Sequence, residues 1–592
     1  MPLRGILSIG AGDPVALELR VSAKRLVSVA VFSGVVNLLT LSGSLYMLQV
    51  YDRVIPSRSI ATLLGLSLIV LTAYAFQAYF DALRMRMLAR VGALFDIGVQ
   101  EAIFKALAIL PLRGARPVLA QQPLRDLEQI RHFLSGIGPT ALLDMPWIPI
   151  FVVALFLFHP IIGLTAACGA AAIIAMTLLS ERHSKTATRL AMENSAQRQV
   201  LADATRQNAE VIHALGMTDR FNKRWTLANE SFLKQNLSVM DLNANLGSVA
   251  KMLRYALQSA ILGIGAYLVV IEQASGGIII ASSIMMGRAL APIEVALGSW
   301  KQFVAARQGV ARLQEVLAAT TEPEKPAVAL PRPKTALHVE HLVIAPPATD
   351  RVVIANINFT LRAGMGMALL GASASGKSSL IKALVGIWRP TRGAVRLDGA
   401  TLDQWRGADL GRHVGYLPQE VALFDGSVAE NIARFDPDAT PEAVLDAAKT
   451  AGAHDMILRL PQGYSTRIGE GGALLSAGQR QRVGLARAIF GGPFLIVLDE
   501  PNANLDADGE SALKTAIETL RSRNCVVIVA SHRPSALSAL DMAMVLNGGG
   551  VVAFGPREEV FARAVRQGAS NTLIAKVSNE DGAPRAAGNA SQ

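Results

Sequence analysis

Cysteine is almost absent from this chain, which has only two among its 592 residues, Cys168 and Cys525. Two cysteines cannot form the disulfide framework on which small secreted domains depend. Cys168 lies within an apolar run and Cys525 directly precedes a predicted strand, so we expect both to be buried thiols. The sequence also lacks a recognisable cleavable signal peptide, because its first long apolar run is too long for one.

Charged residues are scarce as well, at 17% of the chain, while hydrophobic residues make up 51% and the mean hydropathy is +0.35. These values are unusual for a soluble enzyme and indicate a membrane protein of more than one domain. The net charge is +11, which the basic cytoplasmic loops of membrane proteins explain. No patch interleaves basic and aromatic residues, so we expect no nucleic-acid partner.

Long apolar runs fill much of the first half and predict six membrane spans. They cover about residues 26–48, 60–80, 139–158, 161–179, 255–271 and 278–297, and a polar link at 49–59 joins the first two. The segments 81–136 and 181–253 are basic and have helical spacing, so we expect long helices that extend into the cytoplasm. The positive-inside rule then places both ends of the membrane region in the cytoplasm.

Ionisable residues occur inside two of these spans. Asp144 lies early in the third, and Arg288 and Glu294 flank Pro292 in the sixth. Charges in hydrocarbon are costly and usually face the interior of a helix bundle. These residues either line a polar translocation path or lie near the membrane boundary, where they pair or extend towards water.

The second half contains a phosphate-binding loop that follows an apolar strand and precedes a helical pattern. It fits G-x-x-x-x-G-K-[ST] and comprises Gly371, Ala372, Ser373, Ala374, Ser375, Gly376, Lys377 and Ser378, with Ser379 following. Inward-pointing backbone N–H groups and a helix N-terminus attract phosphate. Lys377 is expected to reach the β- and γ-phosphates of ATP, and the Ser378 hydroxyl to hold Mg²⁺.

Further residues downstream complete a nucleotide site. The apolar strand 494–498 ends in Asp499, a candidate Mg²⁺ ligand, and Glu500, placed to polarise the attacking water. Ser476 and Gly478, with Gln479, begin a helix and form a second anion-binding corner. Other candidates are Gln419, for catalysis and metal binding, Asp506, and His532, which could hydrogen-bond a γ-phosphate.

This ordered set resembles the nucleotide-binding domain of ABC transporters, over about residues 337–565. The resemblance implies that Ser476 and Gly478 complete the ATP site of a second chain, and hence a homodimer. Thr466 to Gly471 resembles the segment that couples the ATP domains of exporters to their intracellular loops. Two departures occur: Ala477 replaces the usual signature glycine, and residues 342–347 lack the aromatic that packs on adenine in exporters.

The membrane half resembles the type I secretion permease/ATPase family, protease-secreting branch. The resemblance is carried by Leu48 to Val54, Arg125 to Glu128, Phe133 to Gly136, Asp144 to Trp147, Asn208 to Ile212, Gly216-Met217, and Met286 to Pro292. It implies a bacterial inner-membrane protein that works with a periplasmic adaptor and a TolC-like outer-membrane channel. The implied cargo is an unfolded polypeptide with an uncleaved C-terminal signal.

Two rival functions remain open: an exporter of lipids or small molecules, and a regulatory or assembly protein that binds ATP without turnover. The predicted fold is a six-span α-helical exporter domain fused to an α/β P-loop ATPase domain. We expect a cytoplasmic extension at 1–23, the membrane domain at 24–319, a proline-rich linker at 320–336, the ATPase domain at 337–568 and a disordered tail at 569–592. With so few residues before the first span, no N-terminal peptidase-like domain is expected.

Overall fold

A computed structural model describes residues 13–114, 117–320, 330–405, 407–531 and 534–566. They form two compact units. The helical unit ends with a helix at Thr320, and the first strand of the α/β unit begins at Ala336. The predicted tail and part of the predicted linker, including Pro323 and Pro326, lie outside the described residues.

Long and short helices make up the helical unit. They are α1 (Pro14–Gln49), α2 (Ile60–Ile109), α3 (Pro117–Ser135), α4 (Gly138–Asp144), α5 (Ile148–Phe158), α6 (Pro160–Gln207), α7 (Ala209–Ala214), α8 (Thr218–Val270) and α9 (Gly276–Thr320). Short helical turns join several of them: Val50–Val54, Ile55–Ser57, Leu110–Arg113 and Met145–Trp147.

The first helix begins earlier than the predicted span. Asp13 caps α1 by accepting a hydrogen bond from the Val15 backbone N–H at 2.9 Å, and Pro14 occupies the first helical turn, where its missing N–H costs nothing. Residues 14–23 are therefore the first turns of a continuous 36-residue helix. Helical turns fill most of the predicted polar link at 49–59, since they continue to Ser57 and leave only Arg58 and Ser59 between helices.

Among the described residues, five helical segments are long and apolar enough to cross a membrane, and they contain five of the six predicted spans. The predicted fourth span is the start of α6, whose apolar portion, Pro160–Met176, is shorter than the others. Cys168 lies in this portion and is exposed, so the expectation of a buried thiol is wrong there; Cys525 is buried as expected. The exposed face is an apolar helix surface, which a bilayer would cover.

Helix α9 is common to both hydrophobic clusters of the helical unit. Its first half packs with α5, α6 and α8 around buried Phe151 and Leu290. Its second half packs with α1, α2 and α3 around Phe95 and Leu313. One helix therefore connects the apolar membrane region with the polar extension below it.

The α/β unit alternates strands with helices. Its strands are β1 (Ala336–Ile344), β2 (Ile354–Arg362), β3 (Gly366–Gly371), β4 (Arg392–Leu397), β5 (Ala400–Thr401), β6 (Val414–Leu417), β7 (Leu495–Asp499), β8 (Val526–Ala530), β9 (Met542–Asn547) and β10 (Gly550–Pro556). Its helices are α10 (Lys377–Leu384), α11 (Gly407–His413), α12 (Val428–Ile432), α13 (Pro441–Thr450), α14 (His454–Leu458), α15 (Ala477–Ile489), α16 (Ala507–Ser522), α17 (Pro534–Leu537) and α18 (Arg557–Arg566).

Two sheets organise this unit. A four-stranded antiparallel sheet has the order β2-β1-β4-β5, and a six-stranded sheet has the order β10-β9-β3-β8-β7-β6. In the second sheet β9, β3, β8, β7 and β6 run parallel. Strands β7 and β8 are buried along their whole length, as expected of parallel strands covered on both faces.

The register of this sheet determines where its functional side chains meet. Ala530 of β8 pairs with Leu369 of β3 on one side and with Asp499 of β7 on the other. The carboxyl ends of β3 and β7 therefore lie level with each other, one strand apart. Ligands of such sheets bind at this edge.

Candidate functional site

The phosphate-binding loop connects β3 to α10 with backbone conformations that demand small residues. A Cβ on Gly371 would lie 2.5 Å from the Leu546 carbonyl oxygen, and Gly376 has a φ of 102°. Ala374 also adopts a positive φ, 63°. The side chains of Ala372, Ser373 and Ala374 are exposed. The sequence G-x-x-x-x-G-K-S thus forms the sharp turn that the motif predicts.

Lys377 and Ser375 supply the polar groups inside this loop. The Lys377 ammonium donates hydrogen bonds to the carbonyl oxygens of Gly371 at 2.6 Å and Ala372 at 3.0 Å. Burial lowers the pKa of Lys377, while the nearby carboxylates of Glu500 and Asp499 act in the opposite direction. The buried Ser375 Oγ has no hydrogen-bond partner among the described residues. A buried hydroxyl without a partner, in the same loop as an ammonium group, is a suitable place for a phosphate oxygen.

Asp499 lies next to Ser378, the residue after the loop lysine. Burial raises the pKa of Asp499, and a hydrogen bond from Ser378 partly offsets this rise. No group of three or more His, Cys, Asp or Glu residues in the described parts of the chain could hold a metal by itself. The Ser378 hydroxyl and the Asp499 carboxylate are oxygen ligands and suit Mg²⁺, which commonly takes one or two protein ligands together with substrate phosphates and water.

Glu500 follows at the end of β7 and is held in a specific orientation. Its backbone N–H donates to the Ala530 carbonyl oxygen at 2.8 Å, and its φ of 49° is unusual for a residue other than glycine. The Gln419 side-chain amide donates to Glu500 Oε2 at 3.1 Å. Gln419 and Glu500 are 81 positions apart in the chain, so the fold, and not local sequence, brings the two together.

The turn after Glu500 is supported by residues that sequence reasoning missed. Gln481 donates to the Pro501 carbonyl oxygen at 3.1 Å, and the Ser531 hydroxyl lies 3.0 Å from the Asn502 side-chain oxygen. Gln481, Asn502 and Ser531 are each at most 3% exposed. Gln481 and Asn502 lie in polar stretches of the sequence and Ser531 follows an apolar run, and neither pattern reveals that these side chains are buried.

Ser476 and Gly478 begin α15 and form a second cluster of predicted residues. Ser476 and Gln479 form a capping box: the Gln479 N–H donates to Ser476 Oγ at 3.3 Å, and the Ser476 N–H donates to Gln479 Oε1 at 2.9 Å. Gly478 leaves room for the Asn504 carbonyl oxygen, which would lie 2.9 Å from a Cβ. Ser476 and Ala477 are exposed, and the role of this corner in the ATP site of a second chain stays a prediction.

Asp506 has a local structural role in the described chain. Its carboxylate accepts hydrogen bonds from the Gly509 N–H at 2.9 Å and from Arg482 at 2.6 Å, and it caps α16. These donors hold the pKa of Asp506 below its usual range, the Gly509 N–H contributing most. Asp506 thus joins the turn after β7 to α15, and its part in nucleotide binding stays a prediction.

Two further sequence predictions concern the nucleotide. His532 lies outside the described residues. Residues 342–347, which lack the aromatic that packs on adenine in exporters, end β1 and begin its link to β2, and the Val353 N–H donates to the Ile344 carbonyl oxygen at 2.9 Å to close this link. The first residue of β2 contacts the phosphate loop, since a Cβ on Gly376 would lie 2.6 Å from Ile354 Cδ1.

Replacing Gly371 with alanine is expected to weaken nucleotide binding by roughly tenfold or more, because the loop must distort to accommodate the new Cβ. A titration of the full-length protein with a fluorescent ATP analogue measures this. Gly411→Ala is the matched control, since a Cβ at Gly411 meets nothing within 4 Å. Equal affinities for the two variants would show that the close contact at Gly371 is unimportant.

Family models match both units of the chain. Residues 354–503 match the ABC transporter model, and residues 26–290 match the ABC transporter transmembrane region model. A solved structure titled "Structure of a bacterial Atm1-family ABC exporter with ATP bound" superposes with a TM-score of 0.80 at 22% identity, over 95% of this chain and 99% of that one. At that identity the similarity establishes the fold alone.

Two sequence relatives identify a narrower group within the ABC transporter family. The type I secretion system ATP-binding protein PrsD of Rhizobium meliloti is 50% identical over 554 residues, or 94% of this chain and 95% of PrsD. The cyclolysin secretion/processing ATP-binding protein CyaB of Bordetella pertussis is 27% identical over 90% of this chain and 75% of CyaB. The chain is therefore an ATP-hydrolysing membrane protein of the ABC transporter family, in the group of type I secretion system ATP-binding proteins.

Proposed function

We propose that this protein exports an unfolded polypeptide with a C-terminal secretion signal across the bacterial inner membrane, as the ABC component of a type I secretion system. The observation that carries the proposal is the 50% identity with PrsD over nearly the full length of both chains. Because that similarity includes the membrane unit as well as the ATPase unit, it bears on the cargo path and not only on ATP hydrolysis.

The distribution of basic residues supports the orientation in the membrane that we propose for the chain. The basic segments 81–136 and 181–253 belong to long helices that continue from apolar segments, and basic residues favour the cytoplasmic side. The N-terminus and the ATPase unit would then both be cytoplasmic. We further propose a periplasmic adaptor and a TolC-like outer-membrane channel as partners, in line with the type I secretion relatives.

The ATP engine that we propose works between two copies of the chain. ATP with Mg²⁺ binds at Lys377, Ser378 and Asp499, and Ser476 and Gly478 of a second copy close over it. Gln419 positions Glu500 through the 3.1 Å hydrogen bond, and Glu500 polarises the attacking water. Closure and reopening of the pair would change the accessibility of a path through the membrane units.

Deletion of the gene, followed by comparison of secreted proteins, tests the proposal. At least one polypeptide should disappear from the medium and accumulate in the cell, because the exporter provides its only route out. Expression of the wild-type chain should restore secretion of that polypeptide. Expression of the Glu500→Gln variant should not, because it cannot complete the ATP cycle.

Two results would contradict the proposal. The first is an unchanged set of secreted proteins under conditions where the gene is expressed. The second is a deletion phenotype confined to membrane lipids or small molecules, which would favour an exporter of those compounds. Both outcomes leave the ATPase assignment intact, so they bear on the cargo alone.

A further inference from the structure

A carboxylate in the helical unit joins three helices. Asp144 ends α4, where the chain makes a single turn of 3₁₀ helix, Met145–Trp147, before α5. Its carboxylate accepts hydrogen bonds from the Ser33 hydroxyl and, at 2.7 Å, from the Asn37 amide, both on α1. It also forms an ion pair with Arg84 of α2, with 3.0 Å between Oδ2 and Nη1.

Helix α1 has a surface that fits this turn. The Arg84 guanidinium also donates to Ser33 Oγ at 2.9 Å, so Ser33 contacts both members of the ion pair. Ser33 is fully buried. The next residue, Gly34, leaves room for an aromatic ring, since a Cβ there would lie 3.1 Å from Trp147. These contacts fix the end of α4 against α1 and α2.

Burial of the cluster makes charge expensive. Arg84 lies four residues beyond Phe80, where the second predicted span ends, so the ion pair lies near the predicted cytoplasmic boundary of the spans. Arg84 is only 9% exposed. A buried ion pair often stabilises a fold no more than well-packed apolar residues would, and buried ionisable residues next to a bilayer commonly have functional roles.

Arg84 has a second partner on its own helix. Its Nη2 donates to Asp81 Oδ1 at 2.6 Å, and the Asp81 side chain is half exposed. The Arg84 Nε is buried and has no hydrogen-bond partner among the described residues. The guanidinium could therefore release Asp144 while it keeps a carboxylate partner on α2. The bond between helices can break without leaving the arginine unpaired.

We propose that Arg84 is a positioning residue for export: it holds Asp144 in one state of the transport cycle and releases it, while keeping Asp81, in another. The ion pair then links the end of α4 to α2 reversibly, and export depends on the release of Asp144. The role in export rests on the proposed function, whereas the release itself can be tested without any cargo.

A distance measurement tests this release in the full-length protein in lipid nanodiscs. Nitroxide labels are placed on cysteines introduced at Tyr79 of α2 and Leu142 of α4, which are 63% and 46% exposed, after Cys168→Ser and Cys525→Ala. The distance distribution is compared without nucleotide and after trapping with ATP and vanadate. We expect it to shift on trapping, and an unchanged distribution would overturn the proposal.

The Arg84→Met/Asp144→Leu double variant separates a functional role from a structural one, because an apolar pair preserves packing. We expect ATP hydrolysis within about twofold of wild type and export of the cargo reduced by about tenfold or more, within the usual range of coupling effects. The Glu101→Gln/Lys105→Met variant is the control, since it removes an exposed ion pair within α2 and should export normally. Export by the Arg84/Asp144 variant at the control level would overturn the proposal.

Asp81→Asn keeps the proposal testable if the double variant does not fold. It removes only the half-exposed partner, so release of Asp144 would leave Arg84 without a carboxylate partner. We expect this variant to retain its thermal unfolding temperature, to lose the nucleotide-dependent distance shift and to export about tenfold less. A wild-type distance shift in this variant would overturn the proposal even if no cargo had been identified.

Discussion

ATP turnover should fall roughly 100-fold or more when Glu500 is replaced by glutamine, while ATP binding is retained, because general-base catalysis contributes on this scale. The amide has nearly the shape of the carboxylate but cannot accept a proton from water. The effect should appear in the rate of hydrolysis and not in nucleotide affinity, because the phosphate contacts expected of Lys377 and the loop are unchanged.

The structure explains why Glu500 is sensitive to so small a change. Its backbone is held in a positive-φ conformation by the hydrogen bond to Ala530, and its carboxylate accepts from Gln419. Such strained backbone persists only where surrounding contacts enforce it. The neighbouring turn has these contacts in Gln481, Asn502 and Ser531. Glutamine can occupy the same position, so lost turnover would report on chemistry and not on folding.

Purified full-length variants in nanodiscs, assayed for phosphate release and for binding of a fluorescent ATP analogue, measure this effect. Glu518→Gln is a suitable control because Glu518 is an exposed carboxylate on α16. Near-normal hydrolysis by the Glu500 variant would show that Glu500 does not polarise the attacking water. Loss of binding together with hydrolysis would instead assign the residue to nucleotide affinity.

Much of the ATPase site could be predicted from sequence because its chemistry is local. The loop from Gly371 to Ser378 forms a turn whose glycines and lysine are neighbours in the chain, and the Asp499–Glu500 pair directly ends a strand. The sequence does not show that β8 lies between β3 and β7 and places these two segments side by side. The hydrogen bond from Gln419 to Glu500 depends on the same tertiary arrangement.

In the helical unit, the sequence does not predict where the helices end or which residues pair with the charged side chains. Apolar runs locate the spans, but hydropathy does not reveal that α1 continues back to Pro14 or that helical turns fill most of the predicted link. The partners of Asp144 are 60, 107 and 111 positions away in the chain. From sequence alone, a polar translocation path and a location near the membrane boundary are therefore equally plausible for the ionisable residues in the spans. The structure pairs Asp144 with Arg84 and Glu294 with Arg254, whereas Arg288 is exposed.

Two inactive variants should regain ATP hydrolysis when they form a mixed dimer, if each ATP site is built from two copies of the protein. One chain carries Lys377→Met and the other Ser476→Arg, so either homodimer has a lesion in both of its sites. In the mixed dimer both lesions fall in the same site, and the other site has an intact Lys377 and an intact Ser476. Each homodimer should hydrolyse ATP about 100-fold more slowly than wild type, whereas the mixed dimer should recover a substantial share of the wild-type rate.

Differently tagged copies, co-expressed and purified through both tags in sequence, isolate the mixed dimer for the phosphate-release assay. The control pairs Lys377→Met with Asp499→Asn, two lesions of the same half-site. Its mixed dimer has one lesion in each site and should remain inactive. Recovery in the control would indicate that a single lesion is insufficient to inactivate a site.

Failure of the Lys377 and Ser476 pair to recover, with the dimer present, would mean that each chain builds its own site. The exposed corner at Ser476 would then need another explanation.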